Sequence, residues 1–363
     1  MTSVTIAAPD DWHVHLRDDH MLASVTPFTA RCFRYALVMP NLVPPVTSTH
    51  AAVAYRQRIL AAAGPQARAD FEPLMTLYLN DALDVDDLLA GARDGVIAGA
   101  KYYPAGATTN SAAGGSSLRE YWPVFDAMSE AEIPLLVHAE STDPEVDIFD
   151  REAVFLERQL LPVLERFPTL RVTVEHISTR AGLDLVRAHR SVAGSITPHH
   201  LTCDRSDVLA NGLRPDLYCK PVLNSRADRE ALVEAAISGD PSFFLGTDSA
   251  PHPLSHKLAS PARPGVFSAP YALEVVAELF FATQSLHRLE GFVSWFGADH
   301  YRRPRADATV VLTRRDEVED EPLTEVTTEA GQVVTVFGVE AARRWRWEDG
   351  LGQTGGDTGV GHG

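Results

Sequence analysis

The chain has 363 residues, and Lys+Arg 32 against Asp+Glu 49 leave a formal net charge of −17 at pH 7. Such a field opposes binding to nucleic acid or to an anionic membrane surface, and no stretch approaches the roughly 20 apolar residues of a membrane span. Hydrophobic residues at 45% and charged residues at 22% are ordinary for a soluble globular protein, and the length admits either two domains of about 150 residues or one α/β barrel with insertions. The N-terminal segment MTSVTIAAPDDWHVHLRDD is acidic where a secretory signal would be basic and then apolar, so a cytoplasmic location is expected. Cys32, Cys203 and Cys219 are odd in number and form no CxxC pair. Buried or incidental thiols are therefore expected, with neither a disulfide framework nor a thiolate zinc site.

Apolar runs of strand length occur at 5–8, 35–40, 73–79, 97–103, 134–138, 171–177, 194–197 and 243–246. Segments with helical spacing lie between them at 49–63, 84–92, 118–128, 150–167, 180–188 and 226–237, several preceded by Ser, Thr or Asp as N-caps. Within 150–167, Leu160, Leu164 and Phe167 are spaced to form the inward stripe, and Pro162 predicts a kink. Eight strands alternating with helices predict a (β/α)8 TIM barrel with a short C-terminal extension, because closure removes the sheet edges. No glycine-rich linker interrupts the chain before about residue 340. One domain over 1–345 is expected, followed by a flexible Gly-rich tail over 346–363.

The segment Trp12-His13-Val14-His15-Leu16-Arg17 carries the strongest chemical signal. In an extended strand His13, His15 and Arg17 project from one face, and Trp12, Val14 and Leu16 from the other. An HxH pair on its own fits two hydrogen-bonded or exposed histidines as well as a metal site. Further polar residues then stand at the ends of later strands: Lys101 in AGAKYYP, His138 in LLVHAE, His176 in VTVEHIS and Asp248 in FFLGTDSAPH. Taken singly, Lys101 reads as a salt-bridged core lysine and His176, next to Glu175, as a hydrogen-bonded structural histidine. In a barrel all these ends converge on one face. Four imidazoles, a carboxylate and a lysine without thiolates suit a catalytic zinc site.

With those residues in place, HVHLR, VMPNLVPPV, KYYPAGATTNS, LLVHAE, VEHIS, ITPHHL, LYCKP and GTDSAPH, in this order, resemble the short, free-standing bacterial dihydroorotases of the amidohydrolase superfamily. The likeness runs from about Trp12 to the helix around 269–286, and the chain beyond is only loosely reminiscent. It implies two Zn2+ ions per subunit that share a hydroxide and a carboxylated Lys101. His13, His15 and Asp248 would hold one ion, and His138 and His176 the other. A lysine among cations and apolar neighbours has its ammonium form disfavoured, and the neutral amine can then add CO2. The implied reaction is the reversible closure of N-carbamoyl-L-aspartate to L-dihydroorotate in pyrimidine biosynthesis, with Asp248 as general base and acid. Substrate contacts are implied for His15, Arg17, Asn41, His138, Lys220, His252 and Pro264. Arg17, Asn41 and His252 would hold the substrate carboxylate. Thr108 and Thr109 would close over it from the loop 103–111, which alternatively reads as a plain solvated loop. A homodimer is also implied.

Two positions depart from the family. Lys220 stands where an apolar residue usually contributes its backbone groups, and Pro264 lacks the N–H expected to meet the substrate carboxylate. His199 and His200 read as supporting or helix-capping residues and not as ligands. Two competing readings are a hydantoinase or dihydropyrimidinase, which needs no carboxylate clamp, and a silent homologue in an assembly, which would have lost ligands that this chain retains. Lys101→Ala is expected to abolish binuclear metal binding unless a short carboxylate is supplied; full metal content and activity without that supplement would sink the assignment.

Overall fold

Backbone hydrogen bonding sorts the strands into three sheets in the computed structural model, which describes residues 2–315 and 321–349. The strands are β1 (Thr2–Ala7), β2 (Asp11–Val14), β3 (Tyr35–Val38), β4 (Glu72–Leu79), β5 (Ile97–Tyr102), β6 (Leu135–Val137), β7 (Val172–Val174), β8 (Val192–Ile196), β9 (Phe243–Leu245), β10 (Thr309–Arg314), β11 (Glu325–Thr327), β12 (Val333–Thr335) and β13 (Trp345–Asp349). Strands β2 to β9 form one eight-stranded parallel sheet in sequence order. It closes where Asp248 N–H donates to His13 O at 2.8 Å and His15 N–H to Ser249 O at 3.0 Å. The result is a (β/α)8 barrel.

Helices at Thr49–Ala62, Val85–Arg93, Arg180–Ala188 and Arg226–Ile237 connect successive strands, and Ser48, Asp84, Thr179 and Ser225 accept first-turn N–H groups as their caps. The helix Asp19–Cys32 lies outside the predicted set. Thr26, Pro27 and Thr29 weaken its local signal, and burial of Leu22, Val25 and Ala30 compensates. The 150–167 segment passes through a wide, π-type turn at Leu156–Leu160 just before Pro162, which opens its final turns. Leu160, Leu164 and Phe167 are buried as the stripe requires. No helix among the described residues is long and apolar enough to cross a membrane.

Two expected segment boundaries are corrected. The run at 5–8 is not the first barrel strand: it belongs to β1, which pairs antiparallel with β10, and β10 pairs with β13. The first barrel strand is β2 itself, where His13, with His15 just beyond, breaks the apolar run that marks the other strands. The tail expected from residue 346 also begins too early, because Arg346–Asp349 complete β13, anchored by the buried Trp345 whose Nε1–H donates to Glu278 at 2.7 Å. The remainder of that tail, 350–363, lies outside the described residues.

Alternate residues of the barrel strands enter different clusters. Ala36, Val38, Leu135, Val137, Phe243 and Leu245 join the main core under the helices, whereas Leu37, Leu136 and Phe244 pack with Trp12, Leu74, Ala193 and Tyr301. The second set is therefore the barrel interior, an apolar floor beneath the site. Trp12 was expected among the helices. It turns inward because the β2–β3 register slips between Asp11 and Val14, and its ring stacks on Tyr301 with centroids 4.7 Å apart. Gly297 faces this indole so closely that an added Cβ would stand 2.1 Å from Trp12 Nε1. Gly297→Ala is expected to cost about 1–3 kcal/mol through overpacking, read as a lower urea midpoint at unchanged slope.

Candidate active site

The end of the barrel beyond the strand C-termini is polar. His13 lies on β2 with His15 just after it; Lys101 lies on β5; His138, His176 and Asp248 follow β6, β7 and β9. Arg17, Asn110, His176 and Asp248 take left-handed backbone angles, with φ of 60, 56, 43 and 42°. For residues other than glycine this costs on the order of 1–3 kcal/mol each and persists where surrounding structure demands it. His176 and Asp248 are candidate ligands; Arg17 and Asn110 belong to the barrel mouth and the loop 103–111 beside it.

The imidazoles meet through their inner nitrogens. His13 Nε2 is 3.2 Å from His15 Nε2, and these two stand 3.4 and 3.1 Å from Asp248 Oδ1. On the opposite side His138 Nδ1 is 3.1 Å from His176 Nε2. The outer nitrogens of three of the rings face oxygens. Glu175 Oε1 lies 3.0 Å from His13 Nδ1, Asn41 Oδ1 2.8 Å from His15 Nδ1, and Glu140 Oε2 3.1 Å from His138 Nε2. The Asn41 and Glu140 oxygens accept from His15 and His138 and turn the other lone pairs of those rings inward, whereas Glu175 stands beside His13 as a charge without hydrogen-bonding geometry. Burial keeps the imidazoles neutral: it is the leading cause pushing His13, His138 and His176 down and takes His15 to about 3. Burial alone would push the Asp248 carboxyl up; protons on the facing His13 and His15 nitrogens, where these are not turned to a cation, pull it well below the usual carboxylate range. Inward lone pairs and an ionised carboxylate at ligand-to-ligand spacing fit divalent cations that favour nitrogen and oxygen donors, zinc among them.

Lys101 is fully buried, and burial drives its ammonium well below the ordinary range. Its Nζ pairs with Glu175 Oε2. Glu175 and Glu140 are the site residues that sequence reasoning missed. Glu140 was within reach, since it shares the strand parity of His138. Glu175 was not, because neighbours on a strand point oppositely, and the left-handed turn at His176 is what sends both to the interior.

A second group lines the mouth. Arg17 donates through Nε to Pro251 O at 3.1 Å and sits, through Nη2, 3.0 Å from His252 Nε2. Burial and the Arg17 charge push His252 down to about 2, so its ring is neutral and accepts. Asn41 donates its amide to Thr109 O at 3.0 Å, and Asn110 donates to Asn41 O at 3.0 Å. Asn41 thereby ties the His15 ring to the loop that carries Thr108 and Thr109. Thr109 Oγ1 also lies 3.4 Å from His252 Nε2. The enclosed cavity has a volume of only about 20 Å³, room for roughly one water, whereas a space of about 490 Å³ opens on the far side of Thr108, Thr109, Lys220 and Pro264. The loop is shut.

The two departures resolve differently. Lys220 reaches the site wall, but its Nζ donates to Glu140 Oε1 at 2.6 Å. Pro264 turns its carbonyl toward Thr109 Oγ1 at 3.5 Å, and the next N–H, of Gly265, is taken by Tyr218 O at 2.8 Å. A one-residue shift in register therefore frees no donor there. A side chain at 265 would meet Ala250 O at 2.3 Å, at a φ of +147°. His200 has both ring nitrogens engaged, by Thr197 Oγ1 at 2.8 Å and Pro221 O at 3.1 Å, while neither ring nitrogen of the buried His199 meets a hydrogen-bond partner among the described residues.

Residues 6–292 match the amidohydrolase family. A dihydroorotase of Parasynechococcus marenigrum is 52% identical over 312 residues, covering 86% of this chain and 90% of its own. One from Synechococcus sp. strain RCC307 is 49% identical over 347 residues, covering 95% and 98%. Among solved structures, dihydroorotase from Campylobacter jejuni superposes with a TM-score of 0.84 at 34% identity, over 96% of this chain and 97% of that one. An L-hydantoinase from Arthrobacter aurescens, at 17% identity and a TM-score of 0.72 over 93% of this chain and 86% of that one, shares the fold alone. The chain belongs to the amidohydrolase family and, within it, to the dihydroorotases.

Proposed function

We propose that the protein catalyses the reversible cyclisation of N-carbamoyl-L-aspartate to L-dihydroorotate, as a cytoplasmic homodimer whose barrel and edge sheet act as one domain. The observation that carries this reading is the pairing of two inward-facing donor sets with the Arg17–His252 group at the same barrel mouth. A hydrolase of neutral cyclic amides needs the donor sets alone.

We assign His13, His15 and Asp248 to one Zn2+, His138 and His176 to the second, and carboxylated Lys101 to both. When bound, two such ions would supply a nucleophilic hydroxide near neutral pH and polarise the ring carbonyl. The chain's own residues do the rest. Arg17 presents a guanidinium fork to the substrate carboxylate, and His252, held neutral, adds a ring nitrogen beside it. Asn41 reports the state of the loop to His15, and Thr108 and Thr109 close over the substrate and keep bulk water out. Backbone groups of Lys220 and the carbonyl of Pro264 remain available at the wall. Asp248 presents Oδ1 to the histidines, and Oδ2 is the atom we assign to the travelling proton. In the opening direction it takes the proton of the attacking water and delivers it to the ring nitrogen as the C–N bond breaks.

Opening generates a new carboxylate and releases one proton. The ratio of open to closed product at equilibrium is therefore expected to rise about tenfold per pH unit above the new acid's pKa, measured by ultraviolet absorbance from pH 6 to 8; a flat ratio would exclude this substrate pair. The activity itself is tested by supplying dihydroorotate, dihydrouracil and hydantoin to the zinc-loaded enzyme, with turnover of dihydroorotate preferred. Arg17→Met is expected to raise KM for dihydroorotate by roughly 10–100-fold, from loss of a charge-assisted contact, with two equivalents of metal retained. Equal loss on dihydrouracil would remove Arg17 from carboxylate recognition.

A further inference from the structure

Behind His138 stands a carboxylate in an unusual setting. Glu140 Oε2 lies 3.1 Å from His138 Nε2 and Oε1 lies 2.6 Å from Lys220 Nζ; the next cation, Arg151, is 3.9 Å away. Glu140 is 2% exposed and the Lys220 side chain 9%. Glu140 does not line the enclosed cavity, although Lys220 and His138 do. The lysine therefore sends its ammonium past the cavity to a carboxylate behind the ligand. Both ends of this contact are anchored. Glu140 N–H donates to His138 O at 3.1 Å, which keeps the two side chains together. The bent segment bearing Lys220 is held because Tyr218 O accepts from Lys257 Nζ at 2.7 Å and from Gly265 N–H at 2.8 Å, and Pro221 O accepts from Cys219 Sγ at 3.2 Å.

A carboxylate taken out of water needs a partner charge to stay a strong acceptor. Lys220 is the nearest source of it. An apolar residue at this position would leave Glu140 to the more distant Arg151. The chain of contacts continues through His138 to Nδ1, which faces His176 across 3.1 Å.

We infer that Glu140 and Lys220 are a positioning pair for the metal ligand His138, with Lys220 acting through Glu140 and not on the substrate carboxylate. The inference rests on the dihydroorotase reading of the site. Glu140 fixes which nitrogen of His138 carries the proton and the plane in which the ring lies; Lys220 supplies the charge that keeps Glu140 in that role.

The test compares the full-length wild type with Glu140→Gln, Lys220→Met, Lys220→Arg and the Glu140→Gln/Lys220→Met double variant. Zinc affinity is read by chelator competition, alongside KM and kcat on dihydroorotate and the thermal midpoint of each metal-free protein. Glu140→Gln is expected to weaken one of the two zinc equivalents by about 10–100-fold, the usual effect of removing a ligand's outer partner, and to leave the other unchanged. Lys220→Met should weaken the same equivalent to a smaller degree, lower kcat, and hold KM within about twofold, while Lys220→Arg restores it. The double variant should be no worse than Glu140→Gln alone, since the two act in series. Wild-type zinc affinity with a raised KM in Lys220→Met would overturn the inference and give the lysine to the substrate; additive losses in the double variant would overturn it as well. Should Glu140→Gln fail to fold, the Lys220→Met and Lys220→Arg pair decides by the same split. A wild type that binds fewer than two equivalents and leaves dihydroorotate unopened removes the proposed function, whereas an active two-zinc wild type with unaffected variants removes this inference alone.

Discussion

Four buried imidazoles bring inner nitrogens to within 3.1–3.2 Å in two pairs, with a carboxylate oxygen beside one pair. Facing lone pairs at that distance repel in a dry environment unless a cation stands among them. Much of the surrounding structure serves to hold this arrangement. Two outer acceptors, Asn41 and Glu140, orient the His15 and His138 rings, Glu175 places a charge beside His13, and left-handed backbone at His176 and Asp248 aims the last candidate ligands inward. The barrel below supplies rigidity through an apolar floor in which Trp12 stacks on Tyr301. A polar tier thus sits on a close-packed one, and the ligands borrow their precision from the strands between.

The outer acceptors do more than orient. Asn41 divides its amide between His15 and the carbonyl of Thr109, so the ligand and the loop share one side chain. Glu140 divides its carboxylate between His138 and Lys220. In both cases a change at the mouth is felt one hydrogen bond away at a ligand. The candidate ligands and the mouth are therefore joined as a single mechanical unit.

Charge follows the same two-level pattern. The chain carries −17 overall, a field that repels an anionic substrate at long range. Attraction has to be local. The Lys220 ammonium is paired with Glu140; Arg17, held by Pro251 O and His252, is a cationic group at the mouth without a carboxylate partner among the described contacts.

The alternation of strands and helices, and the polar residues at strand ends, were readable from sequence because both follow from local periodicity and from the geometry of any parallel barrel. His13, His15, Lys101, His138, His176 and Asp248 could be placed on one face in this way. The run at 5–8 was misassigned because an apolar stretch carries no mark of its partner strand, and β1 pairs with β10, some 300 residues later. Trp12 defeated the alternation rule through a slip in register that only the neighbouring strand reveals. The sequence by itself determined the barrel and the types and order of the candidate ligands at its mouth, since these are properties of short segments. Tertiary structure alone decided which nitrogen of each histidine faces inward, that Glu175 and Glu140 stand behind the ligands, and where Lys220 spends its charge. Each of those facts is a contact between distant segments, set by packing that no local pattern encodes.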